Sequence, residues 1–353
     1  MSTGLPQIKN LEKLFLENTP MLDVRAPIEF AKGAVPNAFN IALLNDAERA
    51  AVGTCYKQQG KATAVELGHK LVSGEIKEKR LRLWSRFVKN NPQGALYCFR
   101  GGMRSKIVQS WIYEHTGIKY PRISGGYKNL RRFLLEEMTS ILASANVVVI
   151  GGRTGCGKTK IIKNIGFAID LEYLAKHKGS AFGNMLEPQP AQIDFENLLA
   201  TELIKLNARG YKTILLEDEG GNIGKIALPQ ILNTKIKTSP IILLESATKD
   251  RIEAILQEYV IDIDTTFLDY LFTSIGKIKK RLGGQRYKTV KSLMQDALDK
   301  QKSSGEYSEH KVWIEYLLRE YYDPMYDYQI QGKQNRVIFV GDEAQVLAKI
   351  KSI

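Results

Sequence analysis

The stretch Val147-Val148-Val149-Ile150-Gly151-Gly152-Arg153-Thr154-Gly155-Cys156-Gly157-Lys158-Thr159 decides the fold of the second half of the chain. Four β-favouring apolar residues run straight into glycine, and Gly152 to Thr159 fits the pattern G-x-x-x-x-G-K-T. A strand feeding a glycine-rich turn that opens a helix aims successive backbone N–H groups at one spot, where a phosphate chain fits. Lys158 neutralises that chain, and the Thr159 hydroxyl is placed to ligate magnesium. Gly152, Thr154, Gly155, Gly157, Lys158 and Thr159 are therefore the candidate phosphate-binding residues. Such a loop holds a di- or triphosphate without requiring that it be hydrolysed. Cys156 is an interior loop position and is read as incidental.

Working outward, residues 213–216, 241–244 and 337–340 have the composition of buried strands, and helical stretches separate them. Such alternation implies a mostly parallel sheet covered on both faces. The run at 213–216 leads into Glu217-Asp218-Glu219. An acid at the end of a buried strand is where a phosphate-loop protein holds magnesium. Three acids in a row leave open which one acts, and a solvated loop is the plain alternative.

The first half alternates too. Strands are expected at 21–24, 39–43, 95–98 and 118–123, with helices at 103–115 and 130–142. A long helical stretch at 46–90 is interrupted by Gly53, Gly60, Gly68 and Gly74. The 353 residues suit two domains, placed at 1–139 and 140–353, the second with a helical C-terminal part. Within the first lies Cys98-Phe99-Arg100-Gly101-Gly102-Met103-Arg104-Ser105. A strand delivers the cysteine, the glycine pair permits a tight turn, and a helix follows. Inward-turned backbone N–H groups, the helix N-terminus and two arginines all favour a thiolate. Cys98 is thus the candidate nucleophile, and Arg100, Gly101, Gly102, Arg104 and Ser105 form the candidate anion cradle. A buried cysteine ending a strand is the bland alternative, but it would leave the glycines and arginines without a purpose.

Leu22-Asp23-Val24-Arg25, Glu29-Phe30, Gly33, Pro36 and Asn40-Ile41, followed by the Cys98 loop, resemble the signature of rhodanese domains, which carry a persulfide or perselenide on the cysteine. A cysteine phosphatase has a related C-x5-R cradle, and Arg104 meets that spacing; the Asp23 to Arg25 signature decides for rhodanese. The expected fold class is α/β throughout, a rhodanese-like parallel-sheet domain followed by a P-loop NTPase-like α/β domain.

Over nearly its full length the chain resembles the bacterial tRNA 2-selenouridine synthases. The likeness is carried by Glu48-Arg49-Ala50-Ala51-Val52-Gly53-Thr54, both loops above, Asp170-Leu171-Glu172, Gly179-Ser180, Phe182-Gly183, Phe195-Glu196-Asn197, Glu217-Asp218-Glu219 and Lys280-Arg281-Leu282-Gly283-Gly284. Residues 219–224 are looser than the serine-containing version of that family. The resemblance implies a transferase that converts wobble 2-thiouridine of tRNA to 2-selenouridine. It implies an S-geranylated intermediate, with geranyl diphosphate and selenophosphate as substrates. No tightly bound cofactor is expected, apart from magnesium with the phosphates. An ATP-dependent RNA kinase or thiolase with a sulfur-carrying rhodanese domain is the competing reading.

The net charge of +13 favours an anionic partner such as tRNA. Lys277, Lys279, Lys280, Arg281, Arg286 and Lys288 fall in one acid-free stretch and are the candidate RNA contacts. Three cysteines without a C-x-x-C pair, and four scattered histidines, indicate neither a disulfide framework nor a metal site. No apolar run approaches the ~20 residues of a membrane span, and the N-terminus lacks a long apolar core. A cytoplasmic protein with no membrane association is expected. The tyrosine-rich run from Tyr316 to Tyr328 is read first as packing.

Overall fold

The computed structural model describes residues 4–179, 182–183, 187–262 and 268–353, so Ser180 lies outside the described residues. The chain forms two compact units, one of residues 1–143 with 190–210, the other of 144–189 with 211–353. The single cut expected near residue 139 thus meets an interleaved chain, in which residues 190–210 group with the first unit.

The first unit is built on five strands, β1 (Gln7–Ile8), β2 (Met21–Asp23), β3 (Ala38–Asn40), β4 (Ala95–Tyr97) and β5 (Arg122–Ile123). They pair in parallel in the order β1-β5-β4-β2-β3. All three residues of β2 and of β4 are buried, as central strands of a sheet covered on both faces must be. The strand expected at 118–123 shrinks to β5, because Gly117 (φ 72°) still caps the preceding helix and Pro121 has no N–H to give to a ladder. β1 escaped the sequence reading because two residues carry no periodicity.

The helical stretch expected at 46–90 is two helices, Asp46–Leu71 and Gly74–Asn90. The first is kinked where Gly60 adopts φ 83°, a conformation that would strain a side chain. Trp84 on the second is fully buried and donates its indole N–H to the Ile41 carbonyl at 2.9 Å.

The helix Gln192–Ala208 completes this unit. Phe195, Leu199 and Leu203 on it are fully buried. Asn197 donates to the Ala34 carbonyl at 2.6 Å, and Asp194 accepts from the Ala34 N–H at 2.6 Å. Arg131 donates to Asn197 at 2.7 Å and pairs with Glu196.

The second unit has a four-stranded parallel sheet of β6 (Asn146–Gly151), β7 (Thr213–Glu217), β10 (Ile241–Leu244) and β11 (Val337–Gly341) in the order β11-β10-β6-β7, with β8 (Asn222–Ile223) and β9 (Ile226–Ala227) as a separate antiparallel pair. The four strands of the main sheet lie where the apolar runs placed them. Ile241–Leu244 matches its expected bounds, and the neighbours differ by one residue or two. A second core gathers Val260, Ile275, Val290, Met294, Trp313 and Ile314 among the C-terminal helices. Tyr321 and Tyr322 belong to it, so this part of the tyrosine run packs as expected. Among the described residues no helix is long and apolar enough to cross a membrane.

Candidate active sites

Cys98 follows β4 directly and is only 3% exposed. Its Sγ lies 3.2 Å from Ser105 Oγ, which itself donates to the Gly102 carbonyl at 3.0 Å. Gly101 (φ 64°) turns the loop, and Gly126 (φ 60°) lets a second segment lie against it, since a Cβ there would overlap the Cys98 carbonyl and the Gly101 nitrogen. The Tyr127 and Lys128 N–H groups donate to the Cys98 and Phe99 carbonyls, both at 2.9 Å. The loop's carbonyls are thus taken up on that side. The helix Met103–Thr116 opens immediately after the loop, and its first-turn N–H groups have no intrahelical acceptor. That is the donor set an anion needs beside a thiol.

The arginines divide their work differently from the sequence expectation. Arg104 is forked onto Glu29 at 2.5 and 3.2 Å, with Arg49 behind it at 3.2 Å. Burial pushes the Glu29 carboxyl up, and Arg104, the Ala26 N–H and Arg49 more than offset it, so it sits below its ordinary value. Arg100 is exposed, with its guanidinium 5.9 Å from the Phe99 ring.

The buried cation next to the thiol is Arg122. It donates to the Gly101 carbonyl at 2.8 Å, and burial lowers its pKa against the attraction of the Cys98 sulfur. Sequence reading missed it. The available signal was an arginine inside an otherwise apolar strand, just before a Gly-Gly turn. Asp23 and Arg25 are wholly buried and pair at 2.7 Å, and Arg25 also donates to the Gly33 carbonyl and lies 3.8 Å from the Tyr127 ring. They fasten the sheet rather than face the thiol.

In the second unit β6 runs into the glycine loop, and the helix Lys158–Lys163 follows. Gly152, Gly155 and Gly157 have φ of 156°, 81° and 94°. A Cβ on Gly155 would come within 2.8 Å of Ile255, and the Arg251 carbonyl lies 2.9 Å from the same point. Lys158 Nζ donates back to the Gly152 carbonyl at 2.7 Å, closing the loop on itself. Two further arginines pin it. Arg251, buried, donates to the Thr154 carbonyl at 2.9 Å and pairs with Asp323 at 2.6 Å, and Arg153 pairs with Asp327 at 2.6 Å. Asp323 and Asp327 sit on the helix Asp323–Gln331, so the acids of the tyrosine run hold the phosphate loop. Cys156 is buried in the core beneath it.

The three acids after β7 have separate surroundings. Glu217 pairs in register with Ile150, is buried, and accepts from the Leu171 N–H at 2.8 Å. Asp218 is held by Lys333 at 2.6 Å. Glu219 faces Lys158 and Glu172. Burial, and then the Glu219 carboxylate, push the Glu172 carboxyl up to about 8. Burial pushes Glu219 up to about 7 against the pull of Lys158. The pair shares a proton, with Glu172 donating to Glu219. Glu172 was not among the sequence-derived site residues. Asp170 caps its helix by accepting from the Tyr173 N–H, so from sequence the segment reads as an ordinary helix start.

The basic stretch forms the facing ends of the helices Leu268–Leu282 and Gly284–Ser304, joined at Gly283 (φ 85°). Lys277, Lys279, Lys280, Arg281, Arg286 and Lys288 are all exposed. Arg286 pairs with Glu320 at 3.2 Å, and Lys279 lies 5.2 Å from the Tyr287 ring. Among the described residues no three His, Cys, Asp or Glu converge as a metal site.

Comparison with known proteins gives the family. A family model described as the tRNA 2-selenouridine synthase AAA domain matches residues 145–353. The tRNA 2-selenouridine synthase of Azotobacter vinelandii is 47% identical, over 96% of this chain and 95% of its own.

The chain belongs to the tRNA 2-selenouridine synthase family. The same name is carried by a Sulfurovum protein 46% identical over 98% of both chains, and by a Pseudomonas putida protein 45% identical over 98% of this chain and 97% of its own. The tRNA 2-selenouridine synthase likeness therefore covers both units, including the loops around Cys98 and Lys158.

Proposed function

We propose that the protein is a tRNA 2-selenouridine synthase that works in two steps, one at each loop. The phosphate loop takes the diphosphate of geranyl diphosphate. The sulfur of wobble 2-thiouridine attacks the first carbon of the geranyl chain. The carbon–oxygen bond breaks, diphosphate leaves with the electron pair, and the nucleobase gives up its N3 proton. At the Cys98 loop of the rhodanese-like unit, selenium from selenophosphate then bonds to C2. The C2–sulfur bond breaks, the geranyl thiolate departs with its electron pair, and water cleaves the selenium–phosphorus bond, so that phosphate is released and N3 regains a proton.

Gly152, Thr154, Gly155, Gly157, Lys158 and Thr159 hold the diphosphate, and Lys158 offsets the charge that builds on it as it leaves. A magnesium ion carried in by the diphosphate would find hard oxygen donors in Thr159 and Glu219 and would share that charge. Cys98 serves selenium delivery, with Gly101, Gly102, Ser105, Arg100 and the buried Arg122 around the anion, while Arg104 stays on Glu29. The basic helix pair meets the tRNA backbone.

The observation that carries this reading is the presence of two separate anion loops in one chain, one with a buried thiol and the other with a lysine. A plain thiosulfate sulfurtransferase would leave the second unit without work. The test is mass spectrometry of wobble uridines after thiolated tRNA is incubated with geranyl diphosphate and then selenophosphate. Cys98→Ala is expected to geranylate and fail to selenate; normal activity in both steps removes Cys98 from the mechanism. Lys158→Ala is expected to weaken geranylation, and unchanged diphosphate binding refutes the phosphate-loop assignment.

A further inference from the structure

The kinked helix Asp46–Leu71 and the helix Met103–Thr116 flank an open cleft of about 350 Å³ within the first unit. Its wall is largely hydrocarbon, from Leu43, Val52, Ala64, Val65, Ile107 and Trp111. Ligand sites are concave and mostly apolar, and a cleft of this size and lining has the character of one.

Its position supports the same view. Met103 and Arg104, the first helical residues after the Cys98 loop, line it, and Leu43 and Trp111 share a core cluster with Cys98. Tyr56, Lys61 and Met103, all exposed, form its lip. Lys61 there is a cation suited to the phosphate side of a nucleotide.

We infer that this cleft receives the ten-carbon chain of the S-geranyl nucleoside while the selenium step proceeds at Cys98. The inference rests on the two-step reading above. Size argues for that occupant. A cavity of about 150 Å³ houses the six carbons of benzene, so 350 Å³ has room for about 14 carbons. A geranyl chain fits within the cleft, and a fifteen-carbon farnesyl chain would leave its far end in water. A methyl group leaves the cleft almost empty and gains little apolar burial.

The test is calorimetric titration of the full chain with 2-thiouridine nucleosides carrying S-methyl, S-geranyl or S-farnesyl groups. The geranyl compound is expected to bind at least about tenfold more tightly than either of the others. Val65→Trp, which fills the wall, is expected to weaken geranyl binding about tenfold. Val65→Ala, which enlarges it, is expected to move the preference toward farnesyl, a gain that a misfolded protein cannot produce. Equal binding of all three nucleosides, or a length preference that neither variant moves, overturns the inference. Conversion of S-geranyl tRNA to the selenated form by the unaltered protein is measured alongside. If conversion fails while the cleft variants behave as expected, the two-step reading falls and the cleft stands as a prenyl site. If conversion succeeds and the variants change nothing, the cleft assignment alone falls.

Discussion

Replacing Glu172 by glutamine should make the second unit more stable at pH 8 and leave it nearly unchanged at pH 5. Burial and the neighbouring Glu219 raise the Glu172 carboxyl from 4.5 to about 8. A carboxyl raised in the folded state contributes its stability fully below the unfolded value, and loses it as pH climbs through the folded one. The native unit should therefore weaken between about pH 4.5 and pH 8 as the shared proton leaves. Each pH unit in that window is worth about 1.4 kcal/mol, which caps the loss at about 5 kcal/mol. Water reaching this partly exposed pair, and a proton that belongs to both acids, bring the figure down to about 2 kcal/mol. Glutamine keeps a donor for Glu219 and carries no charge, so the loss disappears. Hydrogen exchange of the β7 amides, corrected for intrinsic rates, reads this as about 30-fold more protection than the parent at pH 8. Parallel pH profiles for the two proteins would refute the shared-proton account.

Asp23→Ala strands the buried Arg25 guanidinium and should cost about 3–5 kcal/mol, measured as a lower urea midpoint for the first unit. Substituting glutamate for both Lys280 and Arg281 should weaken tRNA binding and flatten the slope of log affinity against log salt by about two, while the geranylation rate at saturating tRNA holds. An unaltered salt slope removes the helix pair from the RNA contact.

The four strands of the second unit's main sheet were legible because short runs of consecutive apolar residues bounded by polar or turn residues have few other uses. Ile241–Leu244 and the run into Gly151 are the clearest instances. The loops at Cys98 and Lys158 were legible because their glycines are adjacent in sequence to the residues they serve. Arg122 and Glu172 were not, because each reaches its site through a tertiary neighbour: Arg122 through the pairing of β5 with β4, and Glu172 through Glu219, 47 positions away. The placement of Arg104 on Glu29 was hidden for the same reason, since 75 residues separate the partners. The helix Gln192–Ala208 is buried or half-buried over most of its length and would suit either sheet, so its sequence could not say which unit it completes.

That helix also sets a clock on synthesis. The first unit closes only once residue 210 has been made, 67 residues after its initial segment ends at residue 143. At about 5–20 residues per second the ribosome needs about 3–13 s to supply the rest. During that interval Ala34 lacks both of its partners from the helix, and the apolar surface that Phe195, Leu199 and Leu203 later cover stays open. The nascent chain is therefore expected to engage hydrophobic-surface chaperones in this window, and to release them when the helix arrives.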